Sequence, residues 1–512
     1  MGLAQSIDYA AIAPPVVLAG TALTVLVADL FLPWSRRGLA LPVSLAGVGA
    51  ALVATIVLLG GTDRGTFCTP AGSLPATAGA VPVGPSCSFV VDDFTRLFWV
   101  LFLLVAAGVL LLSRPTVESS RLPVGEYHFL LLASFTGMLT IAASRDLLML
   151  VLSLELVSVP GFLLAGLRRG DPRSTEAALK FFVISVLATA VMLFGMSLVY
   201  GLTGSLQLDR IAAALSRPEL RQPVTAAAVT MVIAGFGFKV SAVPFHFWAP
   251  DTYVGSPVPV AAYLSVASKA AGFAGLLLVL LVGFRPYADV WGPLLAVLAA
   301  VTMTLGNLVA LRQRHVVRLL AWSSIAQAGY MLVPLGVAAT VPGRRSLDAA
   351  AAATLAYVAV YAAMNLGAFG AVAAVARRRP RNHLEDYRGL ARSSPALAVA
   401  LAFFLACLAG LPPGLAGLWA KVVVFRVAVD GRAGWLAVVM AVNTVVALYY
   451  YARWAASLFA GLAPDGDPAP ARVVVPAPVV AALALALLVT VALSVDPDLL
   501  LRLHPMPTAA AG

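Results

Sequence analysis

Apolar stretches of about 20 residues follow one another from one end of this chain to the other, each long enough to cross a hydrocarbon core of about 30 Å as a helix. Of the 512 residues, 61% are hydrophobic and only 11% charged, against about 25% charged in soluble domains. The sequence therefore predicts an all-α polytopic membrane protein. Fourteen spans are expected, at 12–32, 40–60, 94–113, 128–144, 147–167, 176–202, 224–245, 258–284, 291–311, 319–338, 349–376, 396–428, 434–460 and 473–495.

A net charge of +11 would suggest a nucleic-acid partner in a soluble protein. Here the arginines sit in short loops between spans, where they set topology, and no nucleic-acid role is expected. No basic segment precedes the first apolar run, so no cleavable signal peptide is expected. With the N-terminus outside, inner loops hold seventeen arginines and outer loops ten. That excess predicts an outer N-terminus. It also puts the polar outer loop 61–92, with Cys68 and Cys87, where a disulfide is possible. Cys407 reads as a small core residue, and the cysteines give no zinc or iron–sulfur pattern.

All four lysines, Lys180, Lys239, Lys269 and Lys421, fall inside the apolar segments, whereas the loops use arginine. Arginine stays protonated in proteins, while a desolvated lysine can release its proton near neutral pH. Ionisable groups inside a membrane are costly and usually mark an ion or proton route. Two spans are also interrupted. In the seventh, Gly235, Gly237 and Pro244 flank Lys239; in the twelfth, Gly410, Pro412, Pro413, Gly414 and Gly417 precede Lys421. Proline removes a helix hydrogen bond, and in lipid the freed carbonyls need protein or water partners. Paired interruptions of this kind are what duplicated transporter halves with discontinuous helices look like.

Glu155 stands alone in the middle of the fifth span. A carboxylate there is costly to keep ionised unless a lysine on a neighbouring helix restores its charge, and Lys239, at comparable depth, is the natural partner. Lys269 follows Val258 by eleven residues, about 16 Å of helix, and Lys421 lies at similar depth. A lysine stem of about 6 Å is too short to snorkel from there. Lys180, about one turn into the sixth span, reads as either accessory or structural. Ser265, Ser268, Ser323, Ser324, Gln327, Tyr330, Tyr357, Tyr361 and Asn365 could together form a polar track between the lysines. His246, just after Pro244, reads as an accessory on the proton path or as a loop histidine. Phosphate-binding glycine loops and nucleophile elbows are absent, so no nucleotide, flavin, metal or hydrolytic site is expected in this chain.

The segments LSLELVSVPGFLLAGL at 152–167, FGFKVSAVPFHFWAPDTYVGSPVPVAAYLSVASKAAGF at 236–273, LAWSSIAQAGYMLV at 320–333 and AGLPPGLAGLWAKVVVF at 409–425 resemble the antiporter-like subunits of respiratory complex I and of Mrp-type cation/proton antiporters. The resemblance covers nearly the whole chain. EDYRGL at 385–390 and ALYYYAR at 447–453 resemble the subunit-N branch of the bacterial NADH–quinone oxidoreductase members. Lys421 fits the N and L branches, where M branches place glutamate, and the chain lacks the long lateral helix typical of L.

The resemblance implies two inverted five-helix repeats, spans 4–8 within 128–284 and spans 9–13 within 285–460, preceded by 1–127 and followed by 461–512. It assigns Glu155 and Lys239 as a coupled pair, Lys269 as the central relay and Lys421 as the far-side proton donor. Gln327 stands where many relatives have histidine, so the central relay is expected to run through water. The implied function is proton translocation in a bacterial cell membrane, driven by electron transfer from NADH to quinone. No cofactor is expected in this chain: NADH, FMN, iron–sulfur clusters and quinone would be held by other membrane-arm and peripheral-arm subunits. The alternatives are an Mrp-type Na⁺/H⁺ antiporter subunit, which would share the lysines, and a standalone solute transporter.

Overall fold

The computed structural model describes residues 7–69, 86–120, 122–168, 170–461, 473–497 and 506–508. In chain order the principal helices are α1 (Tyr9–Phe31), α2 (Ala40–Leu58), α3 (Asp93–Ser119), α4 (Val124–Ala143), α5 (Leu147–Ala165), α6 (Pro172–Thr203), α7 (Pro223–Lys239) and α8 (Trp248–Gly255). They continue as α9 (Val258–Gly283), α10 (Ala288–Ala310), α11 (Val316–Gly336), α12 (Leu347–Ala376), α13 (Pro395–Ala409), α14 (Leu415–Asp430), α15 (Gly434–Phe459) and α16 (Ala477–Val495). Twelve helices among the described residues are long and apolar enough to cross a membrane. The expected seventh span is shortened to α7, with the short α8 beyond its end, and the expected twelfth is divided between α13 and α14.

Three helices, α9, α11 and α12, are almost wholly buried, while α1, α2, α6 and α16 keep most of their surface outward. α12 packs against α3, α9, α11, α13, α14 and α16. Its run of alanines and glycines lets backbones approach closely, which is how helices associate without a hydrophobic driving force between them. Gly367, for example, leaves its space to the Phe404 ring. The polar residues sit in this centre, shielded from lipid.

Both spans expected to be interrupted are broken. The seventh span does not run on to residue 245: α7 stops at Lys239, and Ser241 adopts a positive φ of 62°. Ala242 N–H closes onto the Gly237 carbonyl at 2.8 Å, and Val243 N–H donates to Thr302 Oγ1 at 3.0 Å. The twelfth span ends its first half at Ala409, with Gly410 at φ 80° as the cap. Both breaks carry a cis proline, Pro244 and Pro413.

The loop 61–92 holds an antiparallel ribbon, β1 (Arg64–Thr69) with β2 (Ser86–Val91), in which Cys68 opposes Cys87 and forms a disulfide with it. The β-branched and aromatic residues of RGTFCT and SCSFVV favour strands. The middle of this loop, 70–85, lies outside the described residues, as do Arg121, Arg169, Arg472 and Arg502 of the charge count.

Candidate functional site

Lys239, Lys269 and Lys421 are buried, with 1%, 2% and 5% of their surface exposed. Lys180 is not: its side chain is 44% exposed. It lies on an outward face of α6, where it pairs with Glu176 Oε1 at 2.7 Å and Asp251 Oδ2 at 2.9 Å. The apolar neighbours that make Lys180 look internal are themselves on the outer surface of the bundle.

The break after α7 places Lys239 at the last helical residue, facing α5. Its Nζ donates to Ser158 Oγ at 2.7 Å, and Ser158 Oγ donates in turn to the Leu154 carbonyl at 2.6 Å. On the other side, Gly272 of α9 packs against the Lys239 stem, where an added Cβ would come within 3.1 Å. Glu155 is half-buried and turned toward α6, accepting from Thr189 Oγ1 at 2.8 Å. The expected direct Glu155–Lys239 ion pair is therefore not formed. Glu155 and Ser158 share α5 but are offset by about 60° around it and about 4.5 Å along it, and Lys239 meets the serine.

Lys269 follows a wide, π-helical turn at Leu264–Ser268, a distortion frequent at functional positions. Its Nζ donates to both the carbonyl and the hydroxyl of Ser324, each at 2.5 Å. Tyr361 OH donates to the same hydroxyl at 2.8 Å, and Asn365 Nδ2 bridges Tyr361 OH and Ser265 Oγ. No hydrogen bond among the described residues joins this cluster to Lys239.

Past Ser324, adjacent Ser323 bonds Tyr451 OH. Tyr451 OH accepts from Gln327 Nε2 at 3.4 Å, and Tyr357 OH donates to Gln327 Oε1 at 2.6 Å. Gln327 Nε2 also donates to the Leu408 carbonyl at 3.2 Å, which Lys421 Nζ shares at 3.2 Å; Lys421 donates to Ala409 O at 2.7 Å as well. Lys421 lies 5.2 Å from the centre of the Tyr330 ring, a cation–π contact. Gln327, where the resemblance implies a relay through water, thus bonds two tyrosines and the carbonyl that holds Lys421.

None of the three buried amines has a carboxylate at ion-pair distance among the described residues; their partners are hydroxyl and carbonyl oxygens. No contact ion pair pins the charged form, and hydroxyls can both accept and donate a proton. Expected Ser268 is buried, and no hydrogen bond among the described residues ties its side chain to the track. His246 is buried at the first break with its ring 5.3 Å from Trp322. Sequence reasoning missed Ser158, Thr189 and Tyr451. The run of tyrosines at 449–451 was a usable signal for the last; the first two look like any hydroxyl in a helix.

A cleft of about 390 Å³ is lined by Arg173, Glu176, Lys180, Asp251, His315 and Arg318. Asp251 binds Lys180 and Arg318 together. Burial raises the Asp251 carboxyl, but the Lys180 and Arg318 contacts outweigh it and hold the group below its ordinary range. Between this cleft and Lys239 stand Phe181, Trp248 and Phe238, with Phe181 and Trp248 stacked at 4.3 Å and Trp248 Nε1 bonded to Phe238 O.

Residues 144–447 match the family described as NADH:quinone oxidoreductase/Mrp antiporter, TM. NADH-quinone oxidoreductase subunit N 2 of Streptomyces griseus is 54% identical over 471 residues, covering 91% of this chain and 84% of that protein. A chain of respiratory complex I from Thermus thermophilus with bound aureothin has TM-score 0.73 and 32% identity, over 98% of this chain and 100% of its own. A chain of the Mrp complex from Dietzia sp. has TM-score 0.81 at 22% identity, over 96% of each, a likeness of fold.

Proposed function

This chain belongs to the NADH:quinone oxidoreductase/Mrp antiporter family of membrane subunits, in the subunit-N branch of NADH–quinone oxidoreductase, and on that premise we propose that it moves protons along Glu155, Lys239, Lys269 and Lys421. The observation that carries the reading is the series of three buried amines, each held by neutral oxygens alone. A proton on such an amine can be passed on without breaking an ion pair, whereas a carboxylate beside it would trap the charge. Energy released by electron transfer elsewhere in the complex would move Glu155 away from Lys239 to its place beside Thr189, which removes the charge that holds the proton on the amine. The proton on Lys239 then passes to Lys269 and through the Ser323–Tyr451–Gln327 groups to Lys421. Protonated Lys421 is the donor to the far side.

In this reading the N-terminus lies outside, helices from α4 to α9 and from α10 to α15 form two inverted repeats, and Lys180, His246 and Tyr330 are accessory. NADH, FMN, iron–sulfur clusters and quinone belong to other subunits of the membrane and peripheral arms, and the assembly sits in the bacterial cell membrane.

Lys239→Arg in the whole complex tests the relay. Arginine keeps the positive charge but does not release its proton. Proton translocation per electron is expected to fall while the complex still assembles. A variant complex that pumps at the native ratio would refute the route through Lys239.

A further inference from the structure

At the outer corner where α3 begins and α4 turns into α5 lies a buried ion pair that the relay does not use. Arg145 Nη2 meets Asp92 Oδ2 at 2.6 Å, and each residue is 1% exposed. The corner is tightly laced: Arg145 N–H donates to Ser88 O of β2, and Leu208 N–H donates to Arg145 O. Arg145 Nη1 is taken by the Ala142 and Ser144 carbonyls, and Asp92 Oδ1 by Thr95 N–H.

Arg145 Nε and the second bonding direction of Asp92 Oδ2 both go to one residue far away in the chain. Arg145 Nε donates to Thr508 O at 2.7 Å, while Asp92 Oδ2 accepts from Thr508 N–H at 2.7 Å and Thr508 Oγ1 at 3.1 Å. The pair thus reads the backbone of a single residue in both directions, and the hydroxyl adds a third contact. Met506, two residues earlier, packs against the apolar core. A buried ion pair is costly unless its remaining valences are filled, and those left open by the corner itself are filled by Thr508.

We propose that Asp92 and Arg145 form a backbone clamp whose ligand is the segment Met506–Thr508, and that this strap holds the outer end of α5 in place. Asp146, next to Arg145, caps α5 through Met149 N–H at 2.7 Å, and α5 carries Glu155 and Ser158. The strap therefore fixes the helix on which the Glu155–Lys239 step depends. This consequence for coupling rests on the relay reading; the docking itself does not.

The test uses the intact purified complex carrying Met506→Cys, with and without Thr508→Pro, which removes the N–H and hydroxyl contacts to Asp92. Maleimide labelling of the introduced thiol is read by mass spectrometry. The strap is expected to slow labelling, and Thr508→Pro to speed it about tenfold, as fits the loss of charge-assisted hydrogen bonds. Protons moved per electron should fall in Thr508→Pro with the electron-transfer rate retained. Fast labelling in both complexes, or equally slow labelling in both, overturns the clamp. Faster labelling with an unchanged proton ratio overturns the coupling role and leaves the clamp standing. The Lys239→Arg measurement is independent of all these results, so failure of the relay and failure of the strap are told apart.

Discussion

At the end of α7 the carbonyls freed by the break go to local groups: Phe236 O to Val240 N–H, Gly237 O to Ala242 N–H, and Phe238 O to Ser241 N–H and the Trp248 indole. At the end of α13 the last two, Leu408 O and Ala409 O, go to Lys421 and Gln327. The first break closes its own backbone and leaves Lys239 free to bond a serine of another helix. The second makes its lysine part of the closure. Lys421 sits against the negative end of α13, so the residue that would carry the proton also completes the backbone. The same relay chemistry thus has a loose and a tight setting in one chain, which bears on which lysine can be changed without losing the fold.

The largest effect expected from this contrast is at the glycines. Gly417 lies where α14 re-enters beside the end of α13, and an added Cβ would overlap the Cys407 carbonyl oxygen, a backbone atom. Gly237, in α7, would meet only the Phe245 ring, at 3.0 Å. Gly417→Ala is expected to cost about 3 kcal/mol through forced backbone movement, and Gly237→Ala about 1 kcal/mol or less. The amount of subunit recovered in the assembled complex measures both. Equal recovery of the two variants would mean that the second break is no tighter than the first.

Next come the lysines themselves, compared as Lys421→Met and Lys239→Met. Both changes keep the stem and remove a buried amine, so the desolvation cost common to the two cancels in the difference. Without Lys421, Ala409 O loses its 2.7 Å donor, whereas Leu408 O keeps Gln327. A buried acceptor left unpaired costs about 1–3 kcal/mol. Without Lys239, Ser158 still bonds Leu154 O. Lys421→Met should therefore lower the thermal inactivation temperature of the complex more than Lys239→Met, although both abolish proton transfer through the altered position. The opposite order would show that the α13 carbonyls find another donor.

The plan of the spans, the sites of both breaks and the burial of three lysines are legible in the sequence, because long apolar runs, prolines and isolated charges each have one dominant physical meaning in a membrane. Which way a side chain faces is not. The helices are apolar all round, and such a helix has no amphipathic stripe to orient it. Lys180 therefore reads as lying within an apolar segment although its side chain is on the outer face, and Glu155 reads as aimed at Lys239 although it points to Thr189. Arg145 looks like one more loop cation, yet it is buried because a partner 53 residues earlier, Asp92, folds onto it. The hydroxyls of Ser158 and Thr189 carry no signature, since most serines and threonines in such helices bond their own backbone, as Ser113 does to Val109 O. The strands of the β1–β2 ribbon are hidden in a loop rich in glycine and proline.

The smallest effect separates the second halves of the two breaks. α8 is tied to neighbouring helices by Asp251, which holds Lys180 and Arg318, whereas α14 ends in Arg426–Asp430, a pair within one turn with both side chains mostly exposed. The Asp251 carboxyl is held below its ordinary value of 3.8, since the pull of Lys180 and Arg318 exceeds the push of burial. A group lowered in the folded state contributes stability above its unfolded value and loses it as pH falls through the folded one. Asp251→Asn should therefore be less stable than the native chain at pH 7, by about 1 kcal/mol or less after allowance for solvent screening, and the gap should close as the pH is taken below about 4. Asp430→Asn, which removes only an exposed pair within one helix, should match the native chain at pH 7. Thermal inactivation of the three complexes across this range decides the matter: a gap for Asp251→Asn that persists in acid would mean that the charge of Asp251 is not what ties α8 down, and that contacts of its neutral side chain do so.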